Sequence, residues 1–198
     1  MSPRPDVSKE RTNQILDAAT NVFIRLGLHK ARVDDIAKEA ELSKGAVYWY
    51  FKSKDEIIIA ILNRLFEREL SSLRNLQNTG ASASEQLDVF INLTVKDIRQ
   101  WLRLIPVTYE FLGLIFRQAI VQKTFKQYLR SYMELLTPLI QQGIDAGEFR
   151  AADAKDVSLA IGALFEGTIL LWVYDSESVD VEKHIRSSIN LLMHGVLV

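Results

Sequence analysis

The sequence predicts an all-α protein in which a three-helix helix-turn-helix domain at the N-terminus is followed by a larger helical domain. Three observations carry this. Apolar residues recur at helical spacing along most of the chain. Only 4 of 198 residues are proline and 48% are hydrophobic, the composition of a helix-rich globular chain. The stretch from Arg32 to Lys54, RVDDIAKEAELSKGAVYWYFKSK, reads as two short helices joined by a tight turn.

Met1 to Asp6 holds two prolines and Arg4 and reads as a disordered arm. From Ser8 or Lys9 the periodicity predicts a helix to Leu26, with Ile15, Ala18, Ala19, Val22, Phe23 and Leu26 on one face and Gly27 placed to stop it. Val33, Ile36, Ala37 and Ala40 make the stripe of the next helix. Its first turn carries Asp34 and Asp35, where free backbone N–H groups favour negative charge. Ser43 can cap the following helix, and Leu42 with Val47 has the spacing of a hydrophobic staple. That helix is short, because Ser53 with Glu56 looks like a capping box opening another. The fourth helix, about Ser53 to Asn75, offers Ile57, Ile58, Ile61, Leu62, Leu65, Phe66, Leu70 and Leu73 for burial. It is too long for a 50-residue domain, so its second half should pack on the downstream helices and serve as a mechanical link.

Gln77 to Ser84 is polar and small, the clearest loop in the chain. Ser82 with Glu85 then opens a helix that Pro106 is expected to end. A helix from about Val107 to Arg117 is apolar almost all round, so it should be buried on every side or line a cavity. The next runs from about Val121 to Ala146, kinked near Pro138 and closed by Gly147. The last two helices run from about Asp153 to Tyr174 and from about Val181 to Leu197. Ala160, Ala163 and Gly167 form a strip of small residues on the first, and Ile185, Ile189, Leu192, Met193 and Val196 an amphipathic stripe on the second. Such a pair could simply close the domain.

The chemistry concentrates on the short helix after Ser43. Val47 and Phe51 should face the core, leaving Lys44, Gly45, Ala46, Tyr48, Trp49 and Tyr50 outward. Three consecutive aromatics outside a core are unusual. Rings with an apolar body and a polar tip suit thymine methyls and phosphate oxygens, and the slim start at Gly45 and Ala46 lets backbone approach base edges. The plainer alternative is a helical hairpin whose aromatics pack on another domain. Charge agrees with nucleic acid: residues 1–54 hold ten Lys or Arg against seven Asp or Glu, whereas residues 55–198 hold fourteen against eighteen.

Residues from about 10 to 60 closely resemble the DNA-binding domain of the tetracycline-repressor (TetR) family of bacterial regulators. The match runs through A-x-x-x-F-x-x-x-G (Ala19, Phe23, Gly27), V-x-x-I-A from Val33, S-K-G from Ser43, Y-x-Y-F from Tyr48 and K-S-K-D-E from Lys52. The family commonly has Thr at Arg32 and Gly at Glu41. By resemblance the Thr caps its helix and contacts phosphate, a contact that the longer arm of Arg32 can reach. If position 41 needs a positive φ, a non-glycine residue there is strained by about 1 kcal/mol.

The resemblance implies a DNA-binding domain over 1–54 and a ligand-binding and dimerisation domain over 55–198. The interface would be a four-helix one made by the last two helices and their copies. The expected partners are double-stranded DNA bearing a palindromic operator, a second copy of the chain, and a small lipophilic effector. Lys44 would bind phosphate; Gly45, Ala46 and Trp49 would approach bases; Tyr48, Tyr50 and Lys54 would hold phosphates, with Arg32 and Ser43 beside them.

The effector cavity has its own signal. Trp101, Tyr109, Phe111, Phe116, Phe125, Tyr128, Tyr132, Phe165 and Trp172 concentrate aromatics in the second domain, and Glu110 and Glu166 interrupt two of its most apolar helices. A carboxylate among apolar groups is costly unless paired. Either each Glu finds an Arg or water while the rings fill the core, or the set lines a cavity for a lipophilic molecule, a cation among the candidates.

Other classes have little support. There is no cysteine, the three histidines lack metal-ligand spacing, and neither a glycine-rich phosphate loop nor a catalytic constellation can be found. No metal, cofactor or catalytic residue is therefore expected. With no basic segment preceding an apolar run at the N-terminus and no uninterrupted apolar stretch of about 20 residues, the expectation is a cytoplasmic protein with no membrane partner. The competing functional reading is a helical enzyme or lipid carrier fused to a vestigial helix-turn-helix. The intact staple, capping box and outward aromatics argue against decay of the motif.

Overall fold

In the computed structural model, residues 7–76 and 80–196 are described, with the backbone alone at 97, 99–101, 103–104, 106–108, 194 and 196. The predicted arm over residues 1–6 and most of the polar loop, residues 77–79, lie outside the described residues. Eight helices occur in order: α1 Val7–Lys30, α2 Val33–Glu39, α3 Lys44–Tyr50, α4 Lys54–Leu76, α5 Ala83–Ile115, α6 Ala119–Asp145, α7 Ala154–Tyr174 and α8 Val181–Val196. No strand occurs among the described residues.

The chain divides into two compact units, one of residues up to Phe66 with Trp101–Lys126, the other of Glu67–Gln100 with Gln127–Val198. In the first, the stripes of α1 to α3 meet as expected: Ile15, Ala19, Val22, Phe23, Ile36 and Val47 are almost fully buried. Ile57, Ile58, Ile61 and Leu62 of α4 join them, as do Phe111 of α5 and Val121 of α6. In the second unit Phe90, Leu136, Ile140, Ile161 and Ile185 form the centre.

Local signals set most helix ends. Gly27 breaks α1 with φ 75° and ψ 159°, a conformation open to glycine. Ser43 Oγ accepts the Ala46 N–H at 3.1 Å, and Ser53 Oγ accepts that of Glu56 at 3.2 Å. The Glu56 carboxylate reaches back to the Lys52 N–H rather than to that of Ser53. Ser82 and Glu85 make a reciprocal capping box, each accepting the other's backbone N–H. Gly147, at φ 73°, closes the segment after α6.

Two expectations about the second domain are corrected. The helix that Pro106 was to end continues through that position, so α5 is a single element of 33 residues. A proline costs a helix interior about 3 kcal/mol; burying Ile98 and Ile105 on one side of it and Phe111 on the other outweighs this. Nor is the segment after Pro106 buried all round: Glu110 is exposed, and Phe116 is 90% exposed. Helix α7 also qualifies the expectation about apolar stretches, since it is long and apolar enough to cross a membrane by length and composition, with a minority of that span buried.

Candidate nucleic-acid interface

The α2–α3 corner is held from within. The Leu42 N–H donates to Ala37 O at 2.9 Å, and Gln14 on α1 donates to Ala40 O at 2.7 Å. Between them Glu41 takes φ 54°, the one non-glycine positive φ among the described residues. The positive φ suspected at this position is therefore real, and a side chain occupies a conformation that favours glycine. At the head of α2, Arg32 makes no side-chain cap; its own N–H donates to Asp35 Oδ2 at 2.9 Å, half of a capping box.

Helix α3 buries Val47 and presents the opposite side. Trp49 is 69% exposed and Tyr48 39%, with Lys44 and Gly45 exposed at its start. Tyr50 departs from the expectation: it is half-buried against the core and meets the Trp49 ring edge-on at 4.6 Å. Ala46 is also half-buried. The Lys44 ammonium pairs with Asp34 at 2.8 Å, and that hydrogen bond holds its pKa above the usual lysine value.

Lys54 is placed differently from its expected role. Its Nζ donates to Leu28 O at 2.6 Å and Ala31 O at 3.1 Å, tying the start of α4 to the end of α1. Two of its three N–H donors are thus spent on backbone carbonyls. Lys52, which sequence reasoning passes over, donates to the carbonyls of Tyr48 and Trp49 at the end of α3, where a cation complements the helix dipole.

The eleven effector-cavity candidates are divided between the units. Trp101, Tyr109, Glu110, Phe111, Phe116 and Phe125 belong to the first, where Phe111 is a core residue. The Trp101 side chain lies outside the described residues, and Phe125 packs edge-on against Phe66 at 5.1 Å. Phe116 points to solvent, and Glu110 accepts the Leu28 N–H at 2.6 Å just past the Gly27 break. Glu110 thus serves the backbone of the DNA-binding unit rather than a cavity.

Tyr128, Tyr132, Phe165, Glu166 and Trp172 belong to the second unit. Tyr128 and Tyr132 stand with rings 6.4 Å apart, and Phe165 lies 6.3 Å from Phe90. Beside them is a residue that sequence reasoning misses. The Tyr128 hydroxyl donates to Glu69 Oε2 at 2.7 Å, and burial pushes the Glu69 carboxyl up to about 7, with Glu166 repelling its charge. Burial also raises Glu166, although that residue keeps solvent access. Glu69 gave no sequence signal because it sits among the other charges of an amphipathic helix.

The expected α8 stripe is corrected too. Ile185, Ile189 and Met193 are buried within the protomer, because α8 packs its apolar face on α7 and the core of its own unit. The Val196 side chain lies outside the described residues, and Leu192 is half-buried. The accessible apolar groups are Leu159, Leu171, Val173 and Tyr174 of α7 and Leu191 of α8. Ala163 is exposed, and Ala160 and Gly167 are half-exposed. No cluster of three or more potential metal ligands occurs among the described residues.

A capped helix-turn-helix that offers Lys44, Tyr48 and Trp49 on a seven-residue second helix defines a DNA-binding protein of the helical-bundle class. A family model described as "Bacterial regulatory proteins, tetR family" matches residues 15–61, and one for the "YsiA-like protein, C-terminal region" matches residues 62–195. The fatty acid metabolism regulator protein of Bacillus subtilis (strain 168) is 28% identical over 186 residues, covering 92% of this chain and 94% of the relative. From the same organism, the HTH-type transcriptional regulator YfiR is 31% identical over 153 residues, covering 74% and 73%. The solved structure of the fatty acid degradation regulator FadR from Bacillus halodurans superposes with a TM-score of 0.80 at 25% identity, covering 98% of each chain. The chain belongs to the tetR family of bacterial regulatory proteins and is a ligand-responsive, DNA-binding transcriptional regulator.

Proposed function

We propose that the protein is a homodimeric cytoplasmic repressor that occupies a palindromic operator and leaves it when a small lipophilic molecule binds the domain over residues 55–198. The observation that carries the reading is the exposure of Trp49 and Tyr48 on a helix that is capped at Ser43 and anchored at Val47. Aromatic groups on a rigid, slim helix beside a lysine have a use in a major groove and none on a solvated surface.

In this reading Trp49, Gly45 and Ala46 approach bases. Lys44 exchanges Asp34 for a phosphate, Tyr48 and the hydroxyl of Tyr50 hold neighbouring phosphates, and Arg32 reaches another. Lys54 has one donor left for phosphate after its two carbonyls. The exposed apolar groups of α7 and Leu191 support a dimer built on these two helices, which would also cover the surface that gives α7 its membrane-like composition. The names of the two fatty-acid regulators support a lipophilic effector. Helix α4 contributes residues to both compact units, which supports it as the element that carries the change.

The test is a pair of substitutions read on specific and random DNA. Lys44→Ala should weaken both alike and lower the salt slope of binding by about one unit. Trp49→Ala should relax preference at one or two base pairs, at a cost of about 1–3 kcal/mol on the specific site alone. Equal losses on both DNAs for Trp49→Ala would remove it from base recognition.

A further inference from the structure

We infer that Glu110, on α5, is a positioning residue for DNA recognition: together with Lys54 of α4 it holds both backbone polar groups of Leu28, and so fixes where the helix-turn-helix starts. This goes beyond the reading above, which takes every DNA-binding side chain from residues 32–54, and it rests on that reading. The need arises at Gly27. A helix would pair the Leu28 N–H with the carbonyl four residues back, but Gly27 breaks α1 with φ 75° and ψ 159°. That ψ turns the next N–H out of the helical ladder. Leu28 is 5% exposed, so its donor is withdrawn from water and needs an acceptor within the protein. Glu110 Oε2 supplies one at 2.6 Å, a charge-assisted bond. The carboxylate approaches over a bare Cα: a Cβ on Gly27 would stand 3.0 Å from Glu110 Oε1.

The carbonyl of Leu28 is held as well. Lys54 Nζ donates to it at 2.6 Å and to the carbonyl of Ala31 at 3.1 Å. Ala31 is followed directly by Arg32, whose N–H is taken by Asp35 as α2 opens. The four residues that join α1 to α2 are therefore held by their first N–H and by their first and last carbonyls, all within one compact unit. They set the direction in which α2, and α3 after it, leave α1. Phosphate contacts follow charge and tolerate a small tilt of α3, whereas contacts to base edges need hydrogen-bond geometry and do not. Loosening Leu28 should thus cost specific binding and spare binding to random DNA.

The experiment uses the full chain, operator DNA selected from a random duplex pool, and the variants Glu110→Ala, Glu110→Asp and Glu110→Gln. Gln keeps an acceptor at the same reach without the charge, Asp keeps the charge one methylene short, and Ala keeps neither. Fluorescence anisotropy, well below each melting transition, reads affinity for the operator and for a scrambled duplex. Glu110→Ala and Glu110→Asp should bind the operator about tenfold more weakly and the scrambled duplex as the parent does. Glu110→Gln should stay within about threefold of the parent on both, since a neutral acceptor still satisfies the N–H. Amide exchange followed by NMR should find Leu28 protected in the parent and in Glu110→Gln and faster in Glu110→Asp, a comparison that stands even where Glu110→Ala fails to fold. Parent-like operator affinity in Glu110→Asp, an equal loss on both duplexes, or retention by Asp with loss by Gln would overturn the inference, the last because charge and not the bond to Leu28 would be acting. A parent that selects no DNA would remove the reading beneath, whereas an operator bound equally by the parent and all three variants would remove only the role of Glu110.

Discussion

Single residues carry two kinds of burden here, charge and backbone geometry. Burial raises the Glu69 carboxyl to about 7 from an ordinary 4.5. A carboxyl whose folded-state pKa is raised adds stability that is complete below the unfolded value and is lost as pH rises through the folded one. Unfolding free energy should therefore fall between about pH 4.5 and 7, by roughly 3 kcal/mol as an order of magnitude. Glu69→Gln should flatten that fall, so its melting temperature should exceed that of the parent at pH 8 and match it near pH 4.5. An unchanged pH profile would show that the carboxyl is solvated. Arg32 makes no side-chain cap at the head of α2. Arg32→Thr should thus stabilise the fold by about 0.5–2 kcal/mol through a regained cap, and make DNA binding less salt-dependent. The exposed face of α3 was legible because its signal is local: a cap, a staple and aromatics out of phase with the core. Glu69, Lys52 and the backbone roles of Lys54 and Glu110 were not. Each depends on which carbonyl, N–H or hydroxyl the fold brings near from 3 to 82 positions away.

Among the elements, α6 shows how closely helices and loops approach in the second unit. A Cβ on Gly143 would stand 2.3 Å from the Phe149 ring and 3.0 Å from Ala83 Cβ. Phe149 follows the turn closed at Gly147, and Glu148 beside it accepts the N–H groups of Ala83 and Ser84 at the start of α5. Those bonds hold the Glu148 carboxyl below the usual range. Gly143→Ala should consequently cost about 1–3 kcal/mol or more in a denaturant titration, since neither ring nor helix can withdraw without disturbing the other. Wild-type stability for that variant would mean that the loop after α6 shifts freely. Helix ends at Gly27, Ser43, Ser53, Ser82 and Gly147 could be read from sequence because caps act within a turn. The passage of α5 through Pro106, and the inward face of α8, could not. In both cases distant packing overrides the local rule, and an amphipathic stripe does not say whether it faces its own chain or another.

For the whole molecule, the proposed reading couples dimerisation to release. A charge placed at Leu171 or Leu191 should weaken self-association roughly tenfold or more in sedimentation equilibrium, while Leu192→Ala, half-buried in the protomer, should act mainly on stability. A dimer must present its two α3 helices about 34–36 Å apart to enter successive major grooves. A ligand that binds the wrongly spaced state about tenfold more tightly supplies about 1.4 kcal/mol per site, or about a hundredfold loss of operator affinity from two sites. Linkage then requires operator DNA to weaken the ligand by the same total factor. The measurement closest to the central claim is selection of bound DNA from a random duplex pool by the full chain. The account predicts an enriched palindrome whose half-site centres lie about one helical turn apart, or a multiple of it, with Trp49→Ala blurring one or two positions in each half. A pool that stays unenriched, or that yields a single asymmetric site, would contradict it.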